Sequence, residues 1–481
     1  MAPSGNITTG NLMMGTRKLE AVTMLLNKLT RDLQEKALPT QELDAALEEL
    51  KVYGRDPRNA DPIFTKEGIE TLARYAFESA SKTTSQNALR VLANSLVLEE
   101  GTRQKFVDLG YEAEACEMLK QDNLDDEFLV SRVVFLTTYN TNISLTKLID
   151  QHHLADSIVQ NLARHAKRAA DHSTKAGKAK VDPMEDMALS ETLKLLFNVT
   201  HFCTGRISSF TSGIPHIVTI LTEHSLPPTK PLDPPFGQLV NALLNLQLED
   251  KSVQSSLFPE AQPAAVVDRL VELLDMSTTQ YSDNELEQVV TPLVGVISKM
   301  NENAPESVRV EIRKRLLPAE EDRQNVLGKG GSLASRLLRN STNPVAPQLR
   351  DAISHLLFEL SDKDASRFVE NVGYGFASGF LFQNNIPVPE NASGAHGTGD
   401  ESHGNRPTNP VTGQFLDRED LPDIPEMSQE EKEREAERLF VLFERLKKTG
   451  IIDVQNPVEQ AYREGRVQEL DDDGEPIEDV D

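Results

Sequence analysis

The stretch Leu89-x-x-Leu92-x-Asn94 carries the pattern that decides the fold. Its apolar positions, three residues apart, place one stripe on a helix, and an Asn follows near the end of that stripe. The pattern occurs five times, with Thr or Phe replacing the Asn in two copies. The copies run from Leu89 to Asn94, Val133 to Thr138, Leu193 to Asn198, Val240 to Asn245 and Ile353 to Phe358.

The spacing of the copies predicts an array of stacked helix pairs. Apart from a longer interval before the last copy, the intervals are about 44 to 60 residues, near the period of roughly 40 to 47 residues in armadillo and HEAT repeats. One helix pair cannot bury its apolar stripe alone, so neighbouring pairs must stack into a continuous core. The sequence therefore predicts an all-α, armadillo/HEAT-like superhelix with a concave face over residues 1–381.

The composition favours helices and excludes several functions. Hydrophobic residues make up 38% of the 481 residues, but only 5% are aromatic and Trp is absent, so the core must be mostly aliphatic. A formal net charge of −26 opposes binding to nucleic acid or anionic lipid, because both need clustered Lys and Arg. Without a signal peptide or an apolar run of about 18 residues, we expect a cytoplasmic protein that does not insert into membranes.

Neither metal nor covalent chemistry is indicated. Cys116 and Cys203 each lack a second Cys or His at metal-ligand spacing. The Gly-rich stretch 328–332 lacks the spacing of a phosphate-binding loop, and no Gly-x-Ser-x-Gly occurs. We therefore expect no enzyme activity and no cofactor, but a monomer that binds other proteins.

Pro, Gly, Asn and acidic residues mark the connections. The polar stretch 168–183 and the prolines of 227–235 predict exposed loops, and residues 382–426 predict a linker after the superhelix. The tail 451–481 is strongly acidic and is predicted to be disordered.

One further helix is predicted over residues 427–450. Ser428 and Glu431 form a capping box, and Gly450 is a C-terminal stop signal. Its apolar face carries Phe440 and Phe443, which would either grip a bound protein or pack onto the superhelix.

Several segments of the chain resemble the synembryn family in sequence and order. The likeness covers most of the chain and is weakest between about residues 145 and 330. The strongest segments are 335–340, 367–381, Asn409-Pro410-Val411-Thr412-Gly413 and 427–436, and upstream segments 50–56, 88–94 and 132–136 also resemble the family.

The resemblance implies a function and a partner. Synembryns are cytosolic exchange factors and folding chaperones for heterotrimeric G-protein alpha subunits. In that family the C-terminal helix of the alpha subunit lies in the concave groove, and segments after the repeats contact its nucleotide-binding domain. A nucleotide-free or GDP-bound alpha subunit is thus the implied partner, through which the chain would be recruited to the plasma membrane.

The resemblance also points to site residues. Lys51 and Arg55 match family basic residues near the alpha C-terminus, and Asn94 matches a groove Asn. The alternative for Lys51 and Arg55 is that they are ordinary solvated helix residues.

Other candidates rest on the residues themselves. Arg132 is an additional candidate for the same surface, and the alternative is an ion pair with Asp125 or Asp126. Asn198 and Asn245 either bind an extended peptide in the groove or bond a neighbouring loop carbonyl in the core.

Phosphorylation is the one modification for which the sequence offers candidates. Ser428, with Glu430 and Glu431 after it, is a candidate for an acid-directed kinase, but the same Ser is needed as the N-cap, and capping is the favoured role. Thr398 and Ser402 flank Asp400 and Glu401, where animal members of the family carry a longer acidic, phosphorylatable run.

A second class of function stays open on the sequence alone. An armadillo-type cargo or scaffold adaptor would also use an acidic superhelix with Asn residues in its groove. The absence of Trp argues against an adaptor for basic peptides, because indoles beside each Asn would be needed to hold Lys side chains.

Overall fold

The computed structural model describes residues 15–174, 182–388 and 406–419, together with Arg434 and Arg438. The chain divides into two compact units, Met1–Asp417 and Arg418–Asp481. Within the described part of the first unit, helices supply all regular structure except an isolated bridge between Thr408 and Phe415. The predicted all-α class is confirmed.

Twenty-one α-helices follow one another through the described residues, with short 3-10 segments in several connections. They are α1 (Thr16–Glu35), α2 (Thr40–Tyr53), α3 (Lys66–Glu78), α4 (Lys82–Leu98), α5 (Gly101–Val107), α6 (Glu112–Met118), α7 (Leu124–Thr137), α8 (Leu145–Asp150), α9 (Leu154–Thr174), α10 (Pro183–Phe202), α11 (Ile214–Glu223), α12 (Phe236–Asn245), α13 (Gln254–Leu257), α14 (Ala265–Gln280), α15 (Asp283–Val289), α16 (Thr291–Asn303), α17 (Glu306–Leu316), α18 (Leu333–Asn340), α19 (Pro347–Leu360), α20 (Ala365–Val372) and α21 (Tyr374–Gln383).

The helices pack in two layers. In the first layer, which we call the first row, each helix packs on the next in the order α2, α4, α7, α10, α12, α16 and α19. The second layer contains α1, α3 and α5, then α9, α11, α14 and α18. One cluster of buried, mainly aliphatic side chains lies between the layers and extends from Val22 to Leu381. Such continuous burial between neighbouring pairs is the arrangement that stabilises a helical-repeat array.

Side-chain caps fix where several helices begin. The Ser81 hydroxyl accepts the backbone N–H of Thr84 at the start of α4, and the Asn123 side chain accepts that of Asp126 at the start of α7. Pro183 opens α10, where its missing N–H costs nothing. Each cap stabilises its helix by about 1 kcal/mol.

The predicted loop at 168–183 begins too early. Helix α9 continues to Thr174, because its polar face is bonded to the turn between α6 and α7. Arg164 donates to the carbonyl oxygens of Lys120 and Gln121, and Arg168 pairs with Asp122. These contacts join residues more than 40 positions apart, so the local polarity of the stretch did not reveal them.

The predicted linker is also interrupted. Residues 406–417 belong to the first unit, where the ring of Phe415 is fully buried. The Arg406 guanidinium covers that ring, 4.2 Å from its centre. We call residues 408–415 the strap, since the segment is bonded across the last helices of the unit.

The two cysteines differ in reactivity. Cys116 is buried on α6, and burial raises the pKa of its thiol to about 12. The reactive thiolate of Cys116 is therefore scarce at pH 8, whereas Cys203 is partly exposed. We expect mass spectrometry after brief iodoacetamide treatment to find Cys203 alkylated and Cys116 unmodified until denaturant is added. Equal labelling of the two residues in the native protein would contradict the packing of α6.

Candidate partner-binding surface

The first-row helices run parallel, so their C-terminal ends share one side. Near the helix starts, the Thr84 hydroxyl on α4 donates to Asp44 on α2 across 2.7 Å. Near the helix ends, Asn198 on α10 donates to the hydroxyl of Thr138, just after α7, also across 2.7 Å. If neighbouring helices were antiparallel, such hydrogen bonds would instead link the N-terminal end of one helix to the C-terminal end of the next. We call the side formed by the C-terminal ends of α2, α4, α7, α10 and α12 the C-terminal edge.

All five copies of the Asn motif lie on the first row, on α4, α7, α10, α12 and α19. The structure reveals a sixth copy on α16, in which Lys299 takes the place of the Asn. Its ammonium donates to the carbonyl oxygen of Leu244 at 2.6 Å, near the end of α12. The apolar part of the motif is present in the sequence as Val294-x-x-Ile297, but a charged residue, Lys299, stands at the Asn position.

Two motif amides bond neighbouring helices. Asn198 donates to Thr138 and accepts a hydrogen bond from the Tyr139 hydroxyl at 3.3 Å. Asn245 donates to the carbonyl oxygen of Phe197 at 3.2 Å. These bonds satisfy polar groups at the end of one helix from the side chain of the next. The structural role of both residues is therefore visible, and a role in binding a partner stays a prediction.

Asn94 differs from the other two amides. It is half-buried near the end of α4, and its side chain has no hydrogen-bond partner among the described residues. The next turn exposes the apolar side chains of Val97 and Leu98. Asn94 can therefore offer both a donor and an acceptor to a bound chain.

Lys51 and Arg55 lie together at the end of α2. The side chain of Lys51 is 23% exposed, and its ammonium lies 3.8 Å from Glu48, which is a long ion pair. Arg55 is exposed in the turn that follows the helix. Two cations on the C-terminal edge can pair with a carboxylate, and they offset the negative dipole end of α2, which lies in the same turn.

A buried lysine, Lys18, holds the turn that carries Arg55. The ammonium of Lys18 on α1 donates to the carbonyl oxygens of Asp56 and Arg58, each at 2.7 Å. Burial lowers the pKa of Lys18. These two bonds restrain the backbone beside Arg55.

Arg132 forms an ion pair that the sequence did not indicate. Its guanidinium lies 3.5 Å from Glu191 on the neighbouring α10. The alternative pairing was wrong, since Asp125 pairs with Arg90 at 2.8 Å, and the Asp126 carboxylate accepts from the Gln86 amide and pairs with Lys82. With 37% of its side chain exposed, Arg132 still faces solvent on the first row, and its role in binding stays a prediction.

An exposed aromatic group joins the ends of α7 and α10. The rings of Phe135 and Tyr139 are 5.3 Å apart, those of Tyr139 and Phe202 6.2 Å, and those of His201 and Phe202 5.0 Å, all near perpendicular. Phe197 stacks on His201 at 6.0 Å. We call these five residues the aromatic patch. Phe202 is 52% exposed and Tyr139 37% exposed, although rings of this size are normally buried.

The aromatic patch was not predicted, although a signal for it exists. Phe202 comes four residues after Asn198 in the motif copy of α10. Tyr139 comes one residue after Thr138, which takes the Asn position in the copy of α7. Together with Asn94, Val97 and Leu98 it extends the C-terminal edge as a mixed apolar and amide surface.

Five other predicted residues lie outside the residues that the structure describes. They are Thr398, Ser402, Ser428, Phe440 and Phe443.

The predicted helix at 427–450 is described at two positions. At both Arg434 and Arg438 the backbone is helical and the residue is exposed.

The described residues offer no metal centre and no membrane span. Among them no group of three or more His, Cys, Asp or Glu residues could hold an ion. No helix in the same part of the chain is long and apolar enough to cross a bilayer.

Comparisons with known proteins identify similar chains. The family model described as guanine nucleotide exchange factor synembryn matches residues 46–466. A synembryn-like chaperone of Schizosaccharomyces pombe is 26% identical over 80% of this chain and 76% of its own, and the chaperone Ric-8A of Xenopus tropicalis is 25% identical over 93% and 88%. A designed armadillo repeat protein is 14% identical, with a TM-score of 0.39 over 57% of this chain and 99% of its own.

Proposed function

The chain belongs to the synembryn family of guanine nucleotide exchange factors, and from that premise we propose that it acts on the alpha subunits of heterotrimeric G proteins, as exchange factor and as folding chaperone. The observation that carries the proposal is the C-terminal edge, which combines exposed rings, a half-buried amide and two cations on one side of the first row. That combination fits an amphipathic helix that ends in a carboxylate.

Each part of the edge has a separate task in this proposal. The aromatic patch and Leu98 receive the apolar face of the alpha subunit's C-terminal helix, since rings with exposed faces gain most from desolvation. Asn94 bonds its backbone, and Lys51 and Arg55 attract its terminal carboxylate. Charge at the rim contributes mainly to the rate of association and to specificity.

Nucleotide exchange requires that binding of the factor be coupled to release of the nucleotide, and it requires no covalent catalysis. A factor that binds the nucleotide-free alpha subunit more tightly than the loaded one lowers the affinity for nucleotide by the same factor. If nucleotide is held at about nanomolar affinity, near 12 kcal/mol, an ordinary coupling of about 1–3 kcal/mol speeds its release by at most about 150-fold. A single small contact would not provide a larger coupling free energy than this.

The second contact in the proposal is the predicted helix at 427–450. Its ring-bearing face would stabilise the opened nucleotide-binding domain while the C-terminal edge holds the alpha C-terminal helix. Preference for the empty subunit also accounts for chaperoning, because a ligand that binds one state raises the population of that state. A nascent alpha subunit without nucleotide is such a state.

Release of a fluorescent GDP analogue from a purified alpha subunit tests the proposal. We expect the pair of reversals Lys51→Glu and Arg55→Glu to slow stimulated release about tenfold, a loss of about 1.4 kcal/mol. Deletion of the chain after Pro425 should slow it by a similar factor while leaving binding of an alpha C-terminal peptide unchanged.

The second contact and the role of Lys51 and Arg55 would each be contradicted by a different result. Full exchange by the truncated chain would remove the second contact, and full exchange by the double reversal would remove Lys51 and Arg55 from the site. Reversal of Lys363 is a matched control, since this exposed lysine lies in the turn after α19, a helix that is not among those that form the C-terminal edge.

The adaptor alternative makes a different prediction in a pull-down. An exchange factor retains an alpha subunit best after its nucleotide is removed, whereas a cargo adaptor retains a basic localisation peptide regardless of nucleotide. The family match favours the first result.

A further inference from the structure

Three neighbouring helices of the first row open to solvent in the same way. In the central turns of α4, α7 and α10, which are residues 88–96, 129–137 and 188–200, every residue is buried except two per helix. The first of the two is always a cation, and the second, three or four residues later, is an amide or a ring. The pairs are Arg90 with Asn94, Arg132 with Phe135, and Lys194 with Phe197. This spacing places both members of a pair on one face of their helix.

The three cations form a line across the first row, which we call the cationic band. Each of them precedes the Asn position of its motif copy by four or six residues, so they lie at nearly the same height on the parallel helices. Ion pairs between neighbouring helices keep this register. Arg90 pairs with Asp125 on α7 at 2.8 Å, and Arg132 lies 3.5 Å from Glu191 on α10. The cationic band therefore runs beside the amide and the rings of the C-terminal edge.

Two members of the band share one buried carboxylate. The Arg132 guanidinium lies 3.5 Å and the Lys194 ammonium 3.0 Å from the same Oε1 atom of Glu191. The Glu191 side chain is 6% exposed, whereas 37% of Arg132 and 38% of Lys194 are open to solvent. One negative charge thus neutralises only one of two positive charges, and it lies on their buried side. The pair presents a net positive charge to the solvent, although the whole chain carries a net charge of −26.

The geometry of the pair suits an oxyanion. Arg132 also lies over the ring of Phe128, 5.8 Å from its centre, and this contact restrains the guanidinium before any ligand arrives. Two neighbouring cations with open donors can bind both oxygens of one carboxylate, which gives a stronger hydrogen bond than a neutral acceptor would.

The neighbouring rings indicate where that carboxylate comes from. Phe135 follows Arg132 by three residues, and Phe197 follows Lys194 by the same interval. Three residues of helix span about 4.5 Å, whereas a helix with its side chains is about 10 Å wide. A helix whose apolar face covers the two rings must therefore bring its polar flank over the two cations.

We propose that Arg132 and Lys194 bind an acidic side chain, Asp or Glu, on the polar flank of the partner's helix. The inference rests on the proposed function, because the apolar face of that helix has to lie on the aromatic patch. It adds a second charge contact that is separate from the terminal carboxylate at Lys51 and Arg55. Such a contact selects between alpha subunits by the residue at one position of their C-terminal helices, since charge complementarity contributes mainly to specificity.

Paired peptides and the full-length chain test the inference. Each pair consists of an alpha C-terminal peptide with either Glu or Gln at one position of its polar flank, and the position changes from pair to pair while the terminal carboxylate is kept. We expect one position at which the Glu peptide binds about fivefold more tightly than the Gln peptide. That preference should fall below about twofold at 1 M salt, where the Debye length is about 3 Å.

Lys194→Gln removes one cation and leaves Glu191 paired with Arg132. We expect this variant to bind both peptides of the selected pair equally, and to bind the Gln peptide as tightly as the unchanged chain does. Lys28→Gln is the matched control, which should keep the fivefold preference. Lys28 is 42% exposed and also forms one ion pair, with Glu42 at 2.8 Å, but it lies on α1 in the second layer. Arg132→Gln takes the place of Lys194→Gln if the latter fails to fold.

Two outcomes overturn the inference. In the first, no position of the peptide favours Glu over Gln. In the second, Lys194→Gln weakens both peptides of the selected pair by the same factor, which would make Lys194 only a structural partner of Glu191. If neither kind of peptide binds the unchanged chain, the C-terminal edge of the proposed function has failed as well.

Discussion

Glu127→Ala should lower the free energy of unfolding by about 3–5 kcal/mol, which we expect to be the largest effect of any single substitution outside the aliphatic core. The Glu127 carboxylate on α7 accepts hydrogen bonds from the Thr192 hydroxyl on α10 at 2.7 Å and pairs with the His165 ring nitrogen Nε2 on α9 at 2.8 Å. The side chains of Glu127 and His165 are 3% and 1% exposed. Removal of the carboxylate leaves the buried His165 ring without a hydrogen-bond partner and leaves Thr192 only the Ser131 hydroxyl, at 3.3 Å.

Glu42→Ala is the matched control for this prediction. Glu42 also lies on a first-row helix and forms one ion pair, with Lys28 at 2.8 Å, but its side chain is 54% exposed. Loss of such a pair costs about 0–1 kcal/mol. Urea unfolding followed by circular dichroism would measure both variants. If Glu127→Ala were no more destabilising than Glu42→Ala, the hydrogen bonds of Glu127 with Thr192 and His165 would not stabilise the packing of the two layers.

The repeat architecture could be predicted because it depends on nearest neighbours along the helix. Leu89 and Leu92 are one turn apart, so their common stripe is visible without any knowledge of the partner helix. The same is true of the stripe that leads to Asn198. All copies of the motif consequently fell on one row of the structure.

The role of each amide could not be predicted in the same way. Asn198 and Asn94 occupy equivalent motif positions, yet only Asn198 meets a hydroxyl, that of Thr138 from 60 positions earlier in the chain. Which amide is left to bind a partner thus depends on the residue that the preceding helix supplies. Arg132 shows the same dependence, since Glu191 on α10 takes the place of the nearby acids.

The strap was hidden for a different reason. Its residues are polar, and they include Pro and Gly, so they resemble a linker when only local composition is considered. The decisive group is Arg323, whose contact with Gly413 spans 90 positions. A buried guanidinium bonded to backbone carbonyls has no sequence signature, because it recognises backbone rather than side chains.

Phe202→Asp should weaken binding of an alpha subunit's C-terminal peptide by roughly 30- to 100-fold, or about 2–3 kcal/mol. Phe202 is the most exposed of the Phe and Tyr rings in the aromatic patch, and its contacts with Tyr139 and His201 keep it in place before a partner arrives. A carboxylate at this position removes the apolar contact and places a charge that must be desolvated against the apolar face of the peptide. Stability should change by about 0.5 kcal/mol or less, because the side chain is already half in water.

Phe382→Asp provides the comparison that separates a specific site from a general loss of exposed apolar surface. Phe382 is 86% exposed at the end of α21, so its replacement removes a more exposed ring of the same kind. Fluorescence anisotropy with a labelled alpha C-terminal peptide would report both affinities. Equal affinities for the two variants would mean that the ends of α7 and α10 do not hold the peptide. A loss confined to Phe202→Asp would support placing the apolar face of the partner's helix between Asn94 and the aromatic patch, where the first row presents an amide beside exposed rings.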